Sequence, residues 1–151
     1  MAILSGQRLP PTRLNTRTVR IRRTTTLSLA TGTITPITFD LEDFDNAAMF
    51  SPPAAVLTLP VAGLWGFLAY GGIASNATGH RRLLVELGPT GSYPTIDQRP
   101  AVSGDDTHIT LSGSHSASSP GEQLRLAAQQ NSGGALLLRA GAYFTAWLIE
   151  S

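Results

Sequence analysis

An all-β fold, two antiparallel sheets packed as a jelly-roll sandwich behind an extended N-terminal arm, is what this 151-residue chain predicts. Three observations carry that expectation. Apolar and polar residues alternate in about eight or nine short runs, the period of half-buried strands. Clusters of Gly, Ser, Asn and Pro separate the runs and supply the turns. No stretch shows the 3.6-residue period of an amphipathic helix, so the helical crossovers of a parallel sheet are not expected. A closed barrel is the alternative that the same pattern allows.

Residues 1–16 contain Pro10 and Pro11, scattered apolar positions and no period, and read as an extended arm; residues 17–151 read as one domain. From 16 to 29 the sequence alternates, with Val19 and Ile21 opposite Arg20 and Arg22 and the pattern running on to Leu27 and Leu29, which predicts a strand. After a turn at 30–32, Ile34, Ile37 and Phe39 mark a second strand, and Pro36 within it places that strand at an edge or on a bulge. Residues 40–53 are acidic and then Pro-punctuated, the signature of a long loop. An apolar run at 55–59 and a turn at 60–63 lead into 64–70, where Leu64, Trp65, Gly66, Phe67, Leu68, Ala69 and Tyr70 are apolar on both faces. With no crossover helices to cover it, such a strand fits a sandwich whose outer face meets another subunit. Further strands are predicted at 81–87, 107–111, 122–129, 135–139 and 142–149.

Charge is unevenly divided. Six arginines and no acid lie in the first 39 residues, and five arginines with all ten acids follow, so a near-neutral chain hides a basic leader joined to an acidic body. Such a leader is expected to order only against something else, a partner surface or the body of a neighbouring subunit. Charged residues make up only 14% of the chain, against roughly 25% in an average soluble protein, which favours a subunit that buries surface against other subunits. All eleven Lys/Arg positions are arginine, a side chain suited to persistent bidentate contacts, but a bias toward GC-rich codons gives the same count and is the simpler explanation. There is no cysteine, so no disulfide or thiolate metal site holds the fold. No apolar run is long enough to span a bilayer and no apolar secretion segment opens the chain, from which a protein made in a cytoplasm, without a membrane partner, is expected.

Candidate chemistry is sparse. His80, His108 and His115 are the possible bases, and Asp105-Asp106-Thr107-His108 brings acids near one of them, but no serine sits in a Gly-x-Ser-x-Gly elbow, so the chain is not read as an enzyme. Asp40, Glu42, Asp43 and Asp45, with Asn46, concentrate oxygen ligands that calcium could use. They lack the glycine and the distal glutamate of a helix-loop-helix calcium site and fit better as a solvated loop or as acceptors for arginines of an adjacent arm, so no cofactor is assigned. The arm carries arginines without aromatic stacking partners, which argues against nucleic acid. Asn76-Ala77-Thr78 has the form of a glycosylation acceptor and reads as a polar turn.

Several strings are similar to a known family. Ile34-Thr35-Pro36-Ile37-Thr38-Phe39-Asp40 followed by Phe44-Asp45 resembles the early strand and acidic loop of C1q/TNF-like jelly-roll domains. Leu57-Thr58-Leu59-Pro60-Val61-Ala62-Gly63-Leu64-Trp65-Gly66-Phe67 resembles their mid-domain signature, with Trp65 in place of the usual tyrosine. Pro120-Gly121-Glu122-Gln123-Leu124-Arg125-Leu126 resembles their Gly-Asp turn and following strand, with Glu122 in place of Asp. Tyr143-Phe144-Thr145-Ala146-Trp147-Leu148 resembles the closing strand beside the trimer axis. Within that group, Asn76 to Arg82 and Asn131 to Ala135 resemble strings in C1q-like domains of bacteriophage virions.

The resemblance implies a homotrimer with a structural or binding role, its core or interface built from Trp65, Phe67, Tyr70, Tyr143, Phe144 and Trp147. The absence of a collagen stalk and secretion signal directs the expectation to a virion protein: a capsid decoration (cement) protein on the head surface. In that expectation the arm grips the major capsid protein, with Arg8, Arg13 and Arg17 on acidic surface and Ile3, Leu4, Leu9 and Leu14 in apolar pockets. The alternative is a tail-fibre, baseplate or receptor-binding tip protein that contacts the host through loops at 88–103 and 112–121. A calcium-dependent secreted lectin-like module is a third class, disfavoured by the missing signal.

Overall fold

The computed structural model describes residues 17–151. Of the arm residues named above, Ile3, Leu4, Arg8, Leu9, Arg13 and Leu14 lie outside the described residues. Twelve strands follow one another: β1 (Thr18–Arg22), β2 (Leu27–Leu29), β3 (Thr35–Pro36), β4 (Leu41–Asp45), β5 (Val56–Thr58), β6 (Gly63–Ile73), β7 (His80–Leu87), β8 (Thr95–Pro100), β9 (Thr107–Ala117), β10 (Gln123–Gln130), β11 (Leu136–Leu138) and β12 (Tyr143–Glu150). They form two separate antiparallel sheets, which decides for a sandwich over a closed barrel.

In the seven-stranded sheet, β6 is the axis. Its whole length pairs with β9 on one side; on the other it pairs with β12 as far as Tyr70 and touches β11 at Ile73. β12 continues to β1 and β4, and β11 to β2. In the five-stranded sheet, β10 pairs with β7 along one side and with β5 and β3 in succession along the other, and β8 closes the far edge of β7. Most successive strands pass between the sheets, β1–β2, β7–β8 and β11–β12 being the exceptions, the connectivity of a jelly roll.

Alternation dictates what lies between the sheets. Val19 and Ile21 of β1, Trp65, Phe67, Ala69 and Ile73 of β6, Ile109 and Leu111 of β9, and Phe144 and Ala146 of β12 meet Leu83 and Val85 of β7 and Leu124, Leu126 and Ala128 of β10 in one core. Trp65 is fully buried and donates its indole N–H to the Val61 carbonyl at 3.2 Å.

Four details depart from the sequence expectation. The strand expected over 16–29 is two strands, because Arg23 turns the chain by donating to the carbonyls of Thr38 (2.6 Å) and Thr26 (2.8 Å) while Asp40 holds the Thr24 amide at 2.8 Å. The acidic segment expected as loop contains β4, paired with β1 through a register shift at Arg20/Ile21 that hides its alternation. β8 lies within the segment expected as a loop at 88–103. β9 runs on to Ala117, so 112–117 is strand and only the remainder of the expected 112–121 loop stands outside it.

Candidate subunit interface

The outward positions of the seven-stranded sheet carry the side chains that the core does not use. On β6 these are Leu64, Gly66, Leu68, Tyr70 and Gly72, alternating with the buried Trp65, Phe67, Ala69 and Ile73. Register places Tyr143 beside Tyr70, Thr145 beside Leu68 and Trp147 beside Gly66 on one flank, and Thr110, Ser112, Ser114 and Ser116 beside Tyr70, Leu68, Gly66 and Leu64 on the other. A Cβ at Gly66 would stand 2.5 Å from the Trp147 indole; its absence lets the ring lie flat against the sheet.

An aromatic and cationic row crosses five strands of this face. The Tyr70 and Tyr143 rings stack at 5.5 Å and 22°, and the Arg20 guanidinium sits 4.3 Å above the Tyr143 ring. Asp43 pairs with Arg20 at 3.3 Å and with Arg22 at 2.6 Å, and at the other end the Tyr70 hydroxyl lies 2.8 Å from His108 Nδ1. Phe44, paired with Arg20 on β4, is 45% exposed. The result is an apolar-aromatic surface with its charges paired at the margin, left uncovered by the described residues.

The edges of the two sheets differ. β4 is short, bulged and acidic; β3 and β5 have two and three residues, with Pro36 in the former; β8 carries Asp97, Arg99 and Pro100. Each of these is a device that keeps an edge from pairing with another chain. β9, 11 residues long, has no Pro, Asp, Glu, Lys or Arg, and among the described residues its sole ladder partner is β6. The uncharged edge adjoins the aromatic face.

The six aromatic positions expected at the trimer core or interface thus divide. Trp65, Phe67 and Phe144 lie inside the sandwich, and Tyr70, Tyr143 and Trp147 lie half-buried on the outer face. Arg17 precedes β1 and accepts through its carbonyl from the Leu148 amide at 2.9 Å, which sets it beside the Trp147 end of this face. Leu64, Gly66 and Leu68 belong to the outer side of the run expected to meet another subunit, whereas Arg20 and His108 join the face without having been assigned to it from sequence. The double-sided apolar character of 64–70 signals the first three; no pattern in the sequence signals Arg20 or His108.

The acidic candidates are spent individually. Asp40 accepts from the Thr24 amide and hydroxyl; burial opposes its ionisation, but those bonds and Arg23 outweigh it and hold its carboxyl below the ordinary range. Asp43 pairs with arginines. Asp45 caps a turn, accepting from the amides of Ala47, Met49 and Phe50 at 3.0, 2.6 and 2.9 Å. Glu42 is exposed and stands apart from them, and among the described residues no three His, Asp or Glu side chains converge on a metal position.

His108 and His115 are likewise held singly, the former by Tyr70. His115 Nε2 meets Glu122 at 2.8 Å, but the Ser118 hydroxyl bonds to Glu122 rather than to the imidazole, so no nucleophile–base pair forms there.

No protein-family model and no curated protein matches the chain. Solved structures do match it. The globular domain of zebrafish complement 1qA superposes with a TM-score of 0.61 at 17% identity, covering 88% of this chain and 97% of that one. Murine APRIL, in a crystal at pH 5.0, superposes with a TM-score of 0.68 at 10% identity, covering 89% of this chain and 100% of that one. Likeness at such low identity is likeness of fold: the two sheets form a C1q/TNF-like jelly-roll sandwich.

Proposed function

We propose that this chain is a non-enzymatic structural module that assembles as a homotrimer and decorates a bacteriophage capsid, anchored by its basic leader. The observation that carries the assembly is the pairing of an open aromatic face with an adjoining uncharged edge on β9. An edge of one copy laid on the face of the next is a heterologous contact, which closes into a ring when its rotation allows. Burying Leu64, Leu68, Tyr70, Tyr143 and Trp147 in that contact supplies the aromatic centre typical of interface hot spots.

Three leaders per trimer then multiply weak contacts through effective concentration. Arg8, Arg13 and Arg17 would meet acidic capsid surface, and Ile3, Leu4, Leu9 and Leu14 its apolar pockets. The virion assignment is supported by the resemblance of residues 76–82 and 131–135 to strings of phage C1q-like domains.

Light scattering at micromolar concentration tests the assembly: three times the 15.9 kDa subunit mass is expected, and a monomer overturns it. Imaging of the particle tests the location. Many copies over the shell are expected, and a few copies confined to the tail would replace decoration with a receptor-binding tip.

A further inference from the structure

We infer that the outer face of the five-stranded sheet, opposite the proposed interface, carries a binding site for a carboxylate-bearing saccharide centred on Arg82. The site is complete within one subunit and stands whether or not the trimer does. Register places Gln129, Arg82 and Gln98 side by side across β10, β7 and β8. Arg82 Nε donates to Gln98 Oε1 at 2.5 Å and Nη1 to Gln129 Oε1 at 3.0 Å, while Gln129 Nε2 donates to the Gly32 carbonyl at 3.0 Å. The guanidinium is therefore fixed in place before any ligand arrives, by neutral acceptors that leave its charge intact.

That charge has no carboxylate among the described residues, unlike most arginines of the body. Arg20 and Arg22 pair with Asp43, Arg99 with Asp97, Arg125 with Glu86 and Arg139 with Asp106. Arg81, fully buried behind it, adds a second cation that meets only the carbonyls of Asn76, Thr78 and His80. The two glutamines occupy Nε and one hydrogen of Nη1, so the Nη2 hydrogens remain for a carboxylate.

The flanking rows supply the rest of the ligand's chemistry. On one side Leu84 pairs with Ile96, which is 50% exposed; on the other His80 pairs with the exposed Pro100. Ile96 and Pro100 offer apolar steps to the C–H face of a pyranose, and the Gln98 amide and the His80 ring offer partners to its hydroxyls. Burial, then Arg82 and Arg81, holds the His80 pKa below the ordinary imidazole value, so at neutral pH it is a neutral donor and acceptor. One accessible uncompensated cation is too few for a polyphosphate, whose binding rests on many such contacts. It suits a single acid group whose sugar ring makes the remaining contacts.

The test is a titration of the isotope-labelled full chain with sodium glucuronate, glucose and sodium acetate, following the Arg82 Nε–H and backbone amides of β7 and β8. Saturable shifts with glucuronate are expected, with glucose and acetate each at least about tenfold weaker. Arg82→Gln should remove the response. Ile96→Ser, at an exposed position that leaves the core untouched, should weaken glucuronate severalfold and leave acetate unchanged. Equal binding of acetate and glucuronate would reduce the site to a simple anion contact and overturn the proposal, as would an absent response or an undiminished one in Arg82→Gln.

Discussion

Glu122 shows how much one side chain organises. It accepts from His115, from the amide and hydroxyl of Ser118 and from the Ser119 amide, closing the turn between β9 and β10. The His115 bond, followed by the Ser118 hydroxyl, holds its pKa at about 2. A carboxyl depressed on folding contributes stability above its unfolded value of 4.5, and that contribution is lost as pH falls toward 2. The melting temperature should fall through that acid window, and Glu122→Gln should flatten the fall while costing about 1–3 kcal/mol at pH 7; thermal melts across pH check both. Two tryptophans separate folding from assembly. Trp65→Ala removes a fully buried ring and should cost about 3–5 kcal/mol in denaturant unfolding. Trp147→Ala should cost less stability and instead shift sedimentation from trimer to monomer. Gly66→Ala should act like the latter, since its new Cβ lifts the indole that must lie flat.

Strands β6, β7, β10 and β12 were legible because each is a long run with high apolar content bounded by turn residues; others were not, for identifiable reasons. A register shift between Arg20 and Ile21 breaks the period of β4, and its Glu42 and Asp43 look like loop residues because an edge strand can carry charge. β8 combines Asp97, Arg99 and Pro100 for the same reason, and the serines of β9 have little strand preference of their own. Parity within 64–70 and 143–148 separates Trp65, Phe67 and Phe144 from Tyr70, Tyr143 and Trp147. Which set faces the core stays hidden in sequence when both sets are apolar. The contrast between a guarded β8 and an unguarded β9 yields a prediction at this scale. Ser112→Lys with Ser114→Lys places charge beside the aromatic face without touching the core, so the variant should keep its melting profile and lose trimer mass in light scattering; a trimer that persists would move the interface elsewhere.

For the molecule as a whole, the proposed function divides the work between leader and body: on that reading, removing residues 1–16 should leave the trimer mass unchanged and abolish attachment to the particle, measured by co-sedimentation. Retained attachment would shift the anchor to the body. The pairing of β1 with β12 has one more consequence. β12 lies between β6 and β1, so the middle of the larger sheet is filled by the last of the twelve strands to be synthesised. Until that segment leaves the ribosome, Val19, Ile21, Trp65 and Phe67 have no finished layer to hide in, and the nascent polypeptide must wait with its stickiest surfaces open. Chaperone dependence and proteolytic loss during translation should therefore concentrate before β12 emerges, and truncation within that strand should be as damaging as loss of the core itself.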